Sequence, residues 1–98
     1  MSLPIVFRPI ARTELHEAAA WYDRNKPGLG AEFTAAVDEI LSRIAANPQR
    51  FRPVRPGVRR ALLERFPYSV HYAVEPDALV ILAVFHHRRD PRKLEGWK

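Results

Sequence analysis

Cysteine is absent from this 98-residue sequence, which excludes disulfides and thiolate chemistry and permits a reducing compartment without demanding one. Glycine is scarce, with four in all, and none belongs to a glycine-rich phosphate loop or a Gly-x-Ser-x-Gly nucleophile elbow. Lysine occurs only at Lys26, Lys93 and Lys98, so arginine supplies the other 13 of the 16 basic residues. No run approaches the ~20 apolar residues that span a bilayer, and the N-terminus lacks a basic start followed by an apolar stretch. A cytoplasmic protein with no membrane partner is therefore expected.

What is present suits one soluble globular domain over residues 1–98: 47% hydrophobic and 28% charged residues. A chain of this length buries roughly 65% of its unfolded surface, enough for a single core. The net charge of +5 is unevenly placed. Residues 1–49 hold five basic and six acidic side chains (−1), and residues 50–98 hold eleven and five (+6). The basic half is the expected working surface, because the planar arginine fork suits carboxylate and phosphate recognition.

Pro4 to Pro9 is a short apolar run that predicts a first strand. Ala11, Leu15, Ala18 and Tyr22 then share one helical face until Asn25-Lys26-Pro27-Gly28 stops it. Phe33, Val37, Ile40 and Ile44 form a second apolar stripe ending before Pro48. These two helices form a hairpin that should bury Leu15, Tyr22, Phe33, Val37, Ile40 and Ile44. Residues 47–57 contain three prolines and read as an ordered basic loop. Val58 to Glu64 reads as a strand, Arg65-Phe66-Pro67 as a corner, Tyr68 to Val74 as an alternating strand with two distinct faces, and Leu79 to Phe85 as a central strand covered on both sides. The expected fold is α+β: an N-terminal strand, a helical hairpin, then a three-stranded antiparallel meander, with the helices packed on one face of the sheet.

Phe85 to Lys93 places His86, His87, Arg88, Arg89 and Asp90-Pro91 just after that central strand, where a rigid scaffold meets solvent. Arg59, Arg60 and Arg65 lie on the neighbouring strand and corner, so the two basic groups are candidates for a shared target- or phosphate-binding face. RNA cleavage by a 2′-hydroxyl needs a proton acceptor, a cation and a proton donor. His86 or His87 suits acid–base work, Arg60, Arg65 and Arg88 suit phosphate, and Tyr72 suits stacking or proton donation. A charged strand edge ending in a turn accounts for the same residues without any chemistry. His71 reads as a packed or hydrogen-bonded residue, and His16 as a helix-surface one. No metal is expected, because adjacent histidines on a strand point to opposite sides and lack a carboxylate set. No cofactor is expected either.

Four pieces, in order, carry a resemblance along nearly the whole chain. They are Glu17-Ala18-Ala19-Ala20-Trp21-Tyr22; Pro27-Gly28-Leu29-Gly30 with Phe33; Arg65-Phe66-Pro67-Tyr68 with Tyr72; and Ala83-Val84-Phe85-His86 with Arg88-Arg89-Asp90-Pro91. Together they resemble the RelE/ParE toxins of bacterial toxin–antitoxin systems. The resemblance implies a compact toxin wrapped and neutralised by a cognate antitoxin, expected to be acidic. RelE-like members cleave messenger RNA on the ribosome with lysines, arginines and a C-terminal tyrosine. Here the loop before the second strand has no lysine, Ser69 stands where a RelE-like arginine is expected, and no tyrosine follows Tyr72. The Phe-Pro-Tyr and His-His-Arg-Arg-Asp-Pro pieces look closer to ParE-like members, several of which poison DNA gyrase by binding it. The expectation is a non-enzymatic toxin acting on a protein such as gyrase, with a ribosome-dependent mRNA endonuclease as the alternative.

Overall fold

The computed structural model describes residues 3–87. Strand β1 (Ile5–Phe7) leads into helix α1 (Pro9–Asn25), whose first turn accepts Pro9 because the N–H that proline lacks has no partner within a helix anyway. The helix ends where the Lys26 amide donates to the Tyr22 carbonyl and Gly28 takes a left-handed φ of 90°. Helix α2 (Leu29–Ala46) begins at once. Gly30 lets the two helices meet: a Cβ there would lie 2.4 Å from the Ala19 carbonyl oxygen, and the Gly30 amide donates to Asp23 Oδ1 at 2.7 Å. Asn47 leaves helical geometry (φ −155°, ψ 79°), as the proline after it disfavours the helical region there, and α2 stops.

After a 3-10 turn at Pro48–Arg50 come β2 (Arg52–Arg55), β3 (Val58–Leu62), β4 (Tyr68–Val74) and β5 (Leu79–His86), in one five-stranded sheet of order β1-β5-β4-β3-β2. The α+β expectation holds, with the hairpin on one face of the sheet. The loop reading of residues 47–57 does not, because β2 lies within it, making the meander four strands rather than three. The three prolines do not forbid it: β2 is an edge strand that needs ladder bonds from one side only. Pro56-Gly57, with φ 78° at Gly57, supplies a two-residue turn that pairs Arg55 with Val58.

Phe33, Val37 and Ile44 are fully buried with Tyr72, Val70, Leu79, Ile81 and Val84 from the sheet, and Leu15 and Ile40 join them. Tyr22 is only half-buried. It still closes an aromatic cluster with Phe33, Phe66 and Tyr68, ring centroids 4.9–6.2 Å apart, which ties the hairpin to the β3–β4 corner.

Strand β5 departs from simple alternation. Tyr72 pairs with Ile81 but His71 pairs with Ala83, so Leu82 is an extra residue. Ile81 and Leu79 face the helices before the bulge, and Val84 does so after it. Burial on both sides of β4 accompanies this, since Ser69 and His71 are as inaccessible as Val70 and Tyr72. Strand β1 pairs in parallel only with Leu79–Ile81, and the Arg8 amide adds one bond to the Ile81 carbonyl. Past that point α1 takes over, with Glu14 Oε1 accepting from the Val84 amide at 3.0 Å.

Candidate functional site

The basic residues singled out on β3 do not share a face. Neighbours on a strand point oppositely, so Arg59 turns to the helix side and Arg60 to the open side. Arg59 donates through Nη1 to the Phe51 carbonyl at 2.7 Å and through Nη2 to Gln49 Oε1 at 2.8 Å, pinning the 3-10 turn and the start of β2. Tyr72, fully buried, donates its hydroxyl to the Pro48 carbonyl at 2.6 Å, and burial pushes its pKa up to about 12 despite the nearby Arg59. It braces the same turn. Arg65 pairs with Glu32 of α2 at 2.7 Å and stacks over Phe66. That hydrogen bond, with the guanidinium charge, holds the Glu32 carboxyl below its usual range. Arg59, Arg60 and Arg65 thus do not converge, contrary to the expectation of one shared basic face.

The histidines divide as well. His86 is half-buried, its ring edge-to-face with Tyr68 at 5.0 Å. It lines a cavity of about 680 Å³ between α1 and the end of the β4–β5 hairpin, with Glu17, Trp21, Arg24 and Pro67. Trp21 there is 51% exposed. His87 is exposed, and its backbone amide donates to the Pro67 carbonyl. It lies near enough to His71, on the open side of the sheet, to be among the groups that depress that residue's pKa. His71 pairs in register with Arg60, and its ring packs edge-to-face on Phe85 at 5.9 Å. Burial, helped by Arg60, Arg55 and His87, lowers its pKa to about 4, so it is neutral at ordinary pH. The buried Arg60 Nε has no hydrogen-bond partner among the described residues. Arg88 and Arg89 lie outside the described residues. Among the described residues no group of three or more His, Cys, Asp or Glu could hold a metal, and no helix is long and apolar enough to cross a membrane.

The open side also carries an apolar band that the sequence did not reveal. Val6, Val80 and Ala73 are register partners on β1, β5 and β4, and Val58 of β3 continues the row. Val58, Ala73, Val80 and Leu82 floor a groove of about 820 Å³ whose rim holds Arg8, Arg55, Pro56 and Glu75. Because these residues are scattered over four strands, only the register brings them together.

Comparison with known proteins gives a consistent picture. Residues 5–91 match the family described as ParE toxin of type II toxin-antitoxin system, parDE. Toxin ParE2 of Mycobacterium tuberculosis (strain CDC 1551 / Oshkosh) is 31% identical over 84 residues, 85% of this chain and 80% of that protein. Two solved structures share the fold. One is the chromosomal ParDE TA system from P. aeruginosa (TM-score 0.76, 22% identity, 87% of this chain and 96% of that one). The other is the toxin-antitoxin complex RelBE2 from Mycobacterium tuberculosis (TM-score 0.62, 24% identity, 88% and 99%).

Proposed function

Because this chain belongs to the ParE toxin family of type II toxin–antitoxin systems, we propose that it inhibits growth by binding a protein target, DNA gyrase, rather than by catalysis, and that a cognate acidic antitoxin neutralises it. The observation that supports this reading is the dispersal of the groups an RNA-cleaving site would need. The Tyr72 hydroxyl is buried and engaged with Pro48, Arg59 holds Phe51 and Gln49, and His86 and His87 serve opposite sides of β5. A general acid and base must both reach the reacting atoms. Binding asks only for a complementary surface, and Arg60, with Arg88 and Arg89, is the basic contact proposed for it.

Purified chain should lower gyrase supercoiling at a fixed stoichiometry and leave ribosome-bound messenger RNA intact. His86→Ala and His87→Ala should retain toxicity, whereas Arg60→Glu should weaken it. The opposite result is codon-specific cuts in primer extension, abolished by one histidine change in a protein that still folds. It would replace the binding reading with the ribosome-dependent endonuclease.

A further inference from the structure

The cavity between α1 and the end of the β4–β5 hairpin presents groups that the fold leaves unused. Glu17, Trp21 and Arg24 are spaced i, i+4 and i+7, so they share one face of α1 and follow one another over roughly 10 Å of helix. All three are exposed. Among the described residues, neither the Glu17 carboxylate nor the Arg24 guanidinium has an ion pair or a hydrogen bond. Helical side chains lean back toward the N-terminus, so Arg24 lies over the Trp21 turn rather than over the carbonyls that end α1. Pro67 and His86, the latter edge-to-face with Tyr68, line the sheet side of the cavity.

A volume of about 680 Å³ suits one small ligand. That ligand must meet a carboxylate at one end and a guanidinium at the other, and cover an indole between them. An apolar group would cover Trp21 but leave both charges without partners in a partly desolvated space, which is costly. A bare phosphate would use Arg24 alone. A nucleoside monophosphate meets all three demands: its base stacks on the indole, its phosphate pairs with the arginine fork, and its base edge faces the carboxylate. Guanine offers a carboxylate two adjacent donors, N1–H and the N2 amino group, whereas adenine sets an acceptor beside its one amino group. We propose that this cavity binds a guanine nucleotide carrying a 5′-phosphate, with the base on Trp21, its Watson–Crick edge toward Glu17 and the phosphate on Arg24. Glu17 repels a second anion at the base end, which favours a free mononucleotide over a strand.

The test is a titration read by tryptophan emission. In a Trp97→Phe chain Trp21 is the remaining tryptophan, and guanosine 5′-monophosphate should quench it with a saturable isotherm. Its affinity should exceed that of guanosine, which lacks the phosphate, and that of adenosine 5′-monophosphate, each by about tenfold or more. Arg24→Gln should erase the first advantage and keep the second, and Glu17→Ala should do the reverse. In the unaltered chain the same nucleotide should raise the melting temperature, and Trp21→Leu should abolish that rise. These three substitutions fall at exposed positions, so the melting temperature without nucleotide should stay close to that of wild type. Equal affinity for the three compounds would mean unselective stacking on an exposed indole and overturns the assignment, as does the absence of both quenching and a thermal shift. A single-stranded oligonucleotide containing guanine that binds as tightly as the mononucleotide overturns the preference for a free nucleotide.

Discussion

The two faces of this sheet are built from the same strands yet follow different rules. On the helix side, Phe33, Phe66 and Tyr68 interlock, Tyr72 meets Phe51, and the polar groups near them are engaged: Arg59 with Phe51 and Gln49, Tyr72 with Pro48. On the open side, small aliphatic residues floor a groove, a neutral buried histidine sits among arginines, and Leu62 and Val6 at the sheet margins are exposed. The first arrangement holds the fold. The second leaves surface and charge for partners. The contrast shows that a basic residue's role here depends on strand parity more than on its place in the sequence, as Arg59 and Arg60 illustrate.

That contrast can be broken from either side. Phe33→Ala, at a fully buried ring in contact with three others, should lower stability by ~3–5 kcal/mol in denaturant titration, whereas Leu62→Ala on the open margin should cost well under half of that. A loss at Phe33 below about 1 kcal/mol would mean that the aromatic cluster is not the keystone of the helix side.

Acid should act through the open side. His71 is neutral in the fold down to about pH 4 but takes a proton near 6.5 when unfolded. Between those values the unfolded chain holds more protons, so the stability His71 contributes is complete above about pH 6.5 and is lost as pH falls toward 4. Its size is on the order of 3 kcal/mol. The slope of stability against pH in that window should flatten in His71→Gln. An unchanged slope would assign the acid sensitivity elsewhere.

Gly30→Ala should cost ~1–3 kcal/mol, because its new methyl meets the Ala19 carbonyl and Asp23 and must spread the helical hairpin. Melting temperature is the readout, and Ala31→Gly, one residue along α2, serves as a comparison without the clash. The smallest effect belongs to Tyr72→Phe, which removes a single hydrogen bond to Pro48 and should cost ~0.5–1.5 kcal/mol. It should leave toxicity intact at permissive temperature. Abolished toxicity in a folded Tyr72→Phe protein would contradict its reading as a brace.

Much of the fold was legible because its signals are local. The stripes Ala11-Leu15-Ala18 and Phe33-Val37-Ile40-Ile44 announce helices, and Asn25-Lys26-Pro27-Gly28 and Pro48 end them. Strand β2 is hidden in the sequence because proline is by default a breaker. Its edge position, which makes Pro53 harmless, is a fact of topology and not of local sequence. The bulge at Leu82 was hidden for a related reason: in an unbroken apolar run, no polar residue marks the change of parity. The candidate site was less legible still. Adjacent arginines on β3 look like one cluster until the pleat separates them. The groove floor draws one or two residues from each of three neighbouring strands, and its clue in the sequence is that Val58, Ala73 and Val80 flank turns rather than occupy strand centres.

The bond that the Val84 amide donates to Glu14 has a consequence at high concentration. Where β1 stops, β5 would otherwise present a bare strand edge, the template on which like chains add to one another. A carboxylate reaching down from α1 takes a donor that an incoming strand would need and sets a negative charge beside the approach. One helix side chain thereby occupies a donor on that edge, and it does so without lengthening the sheet.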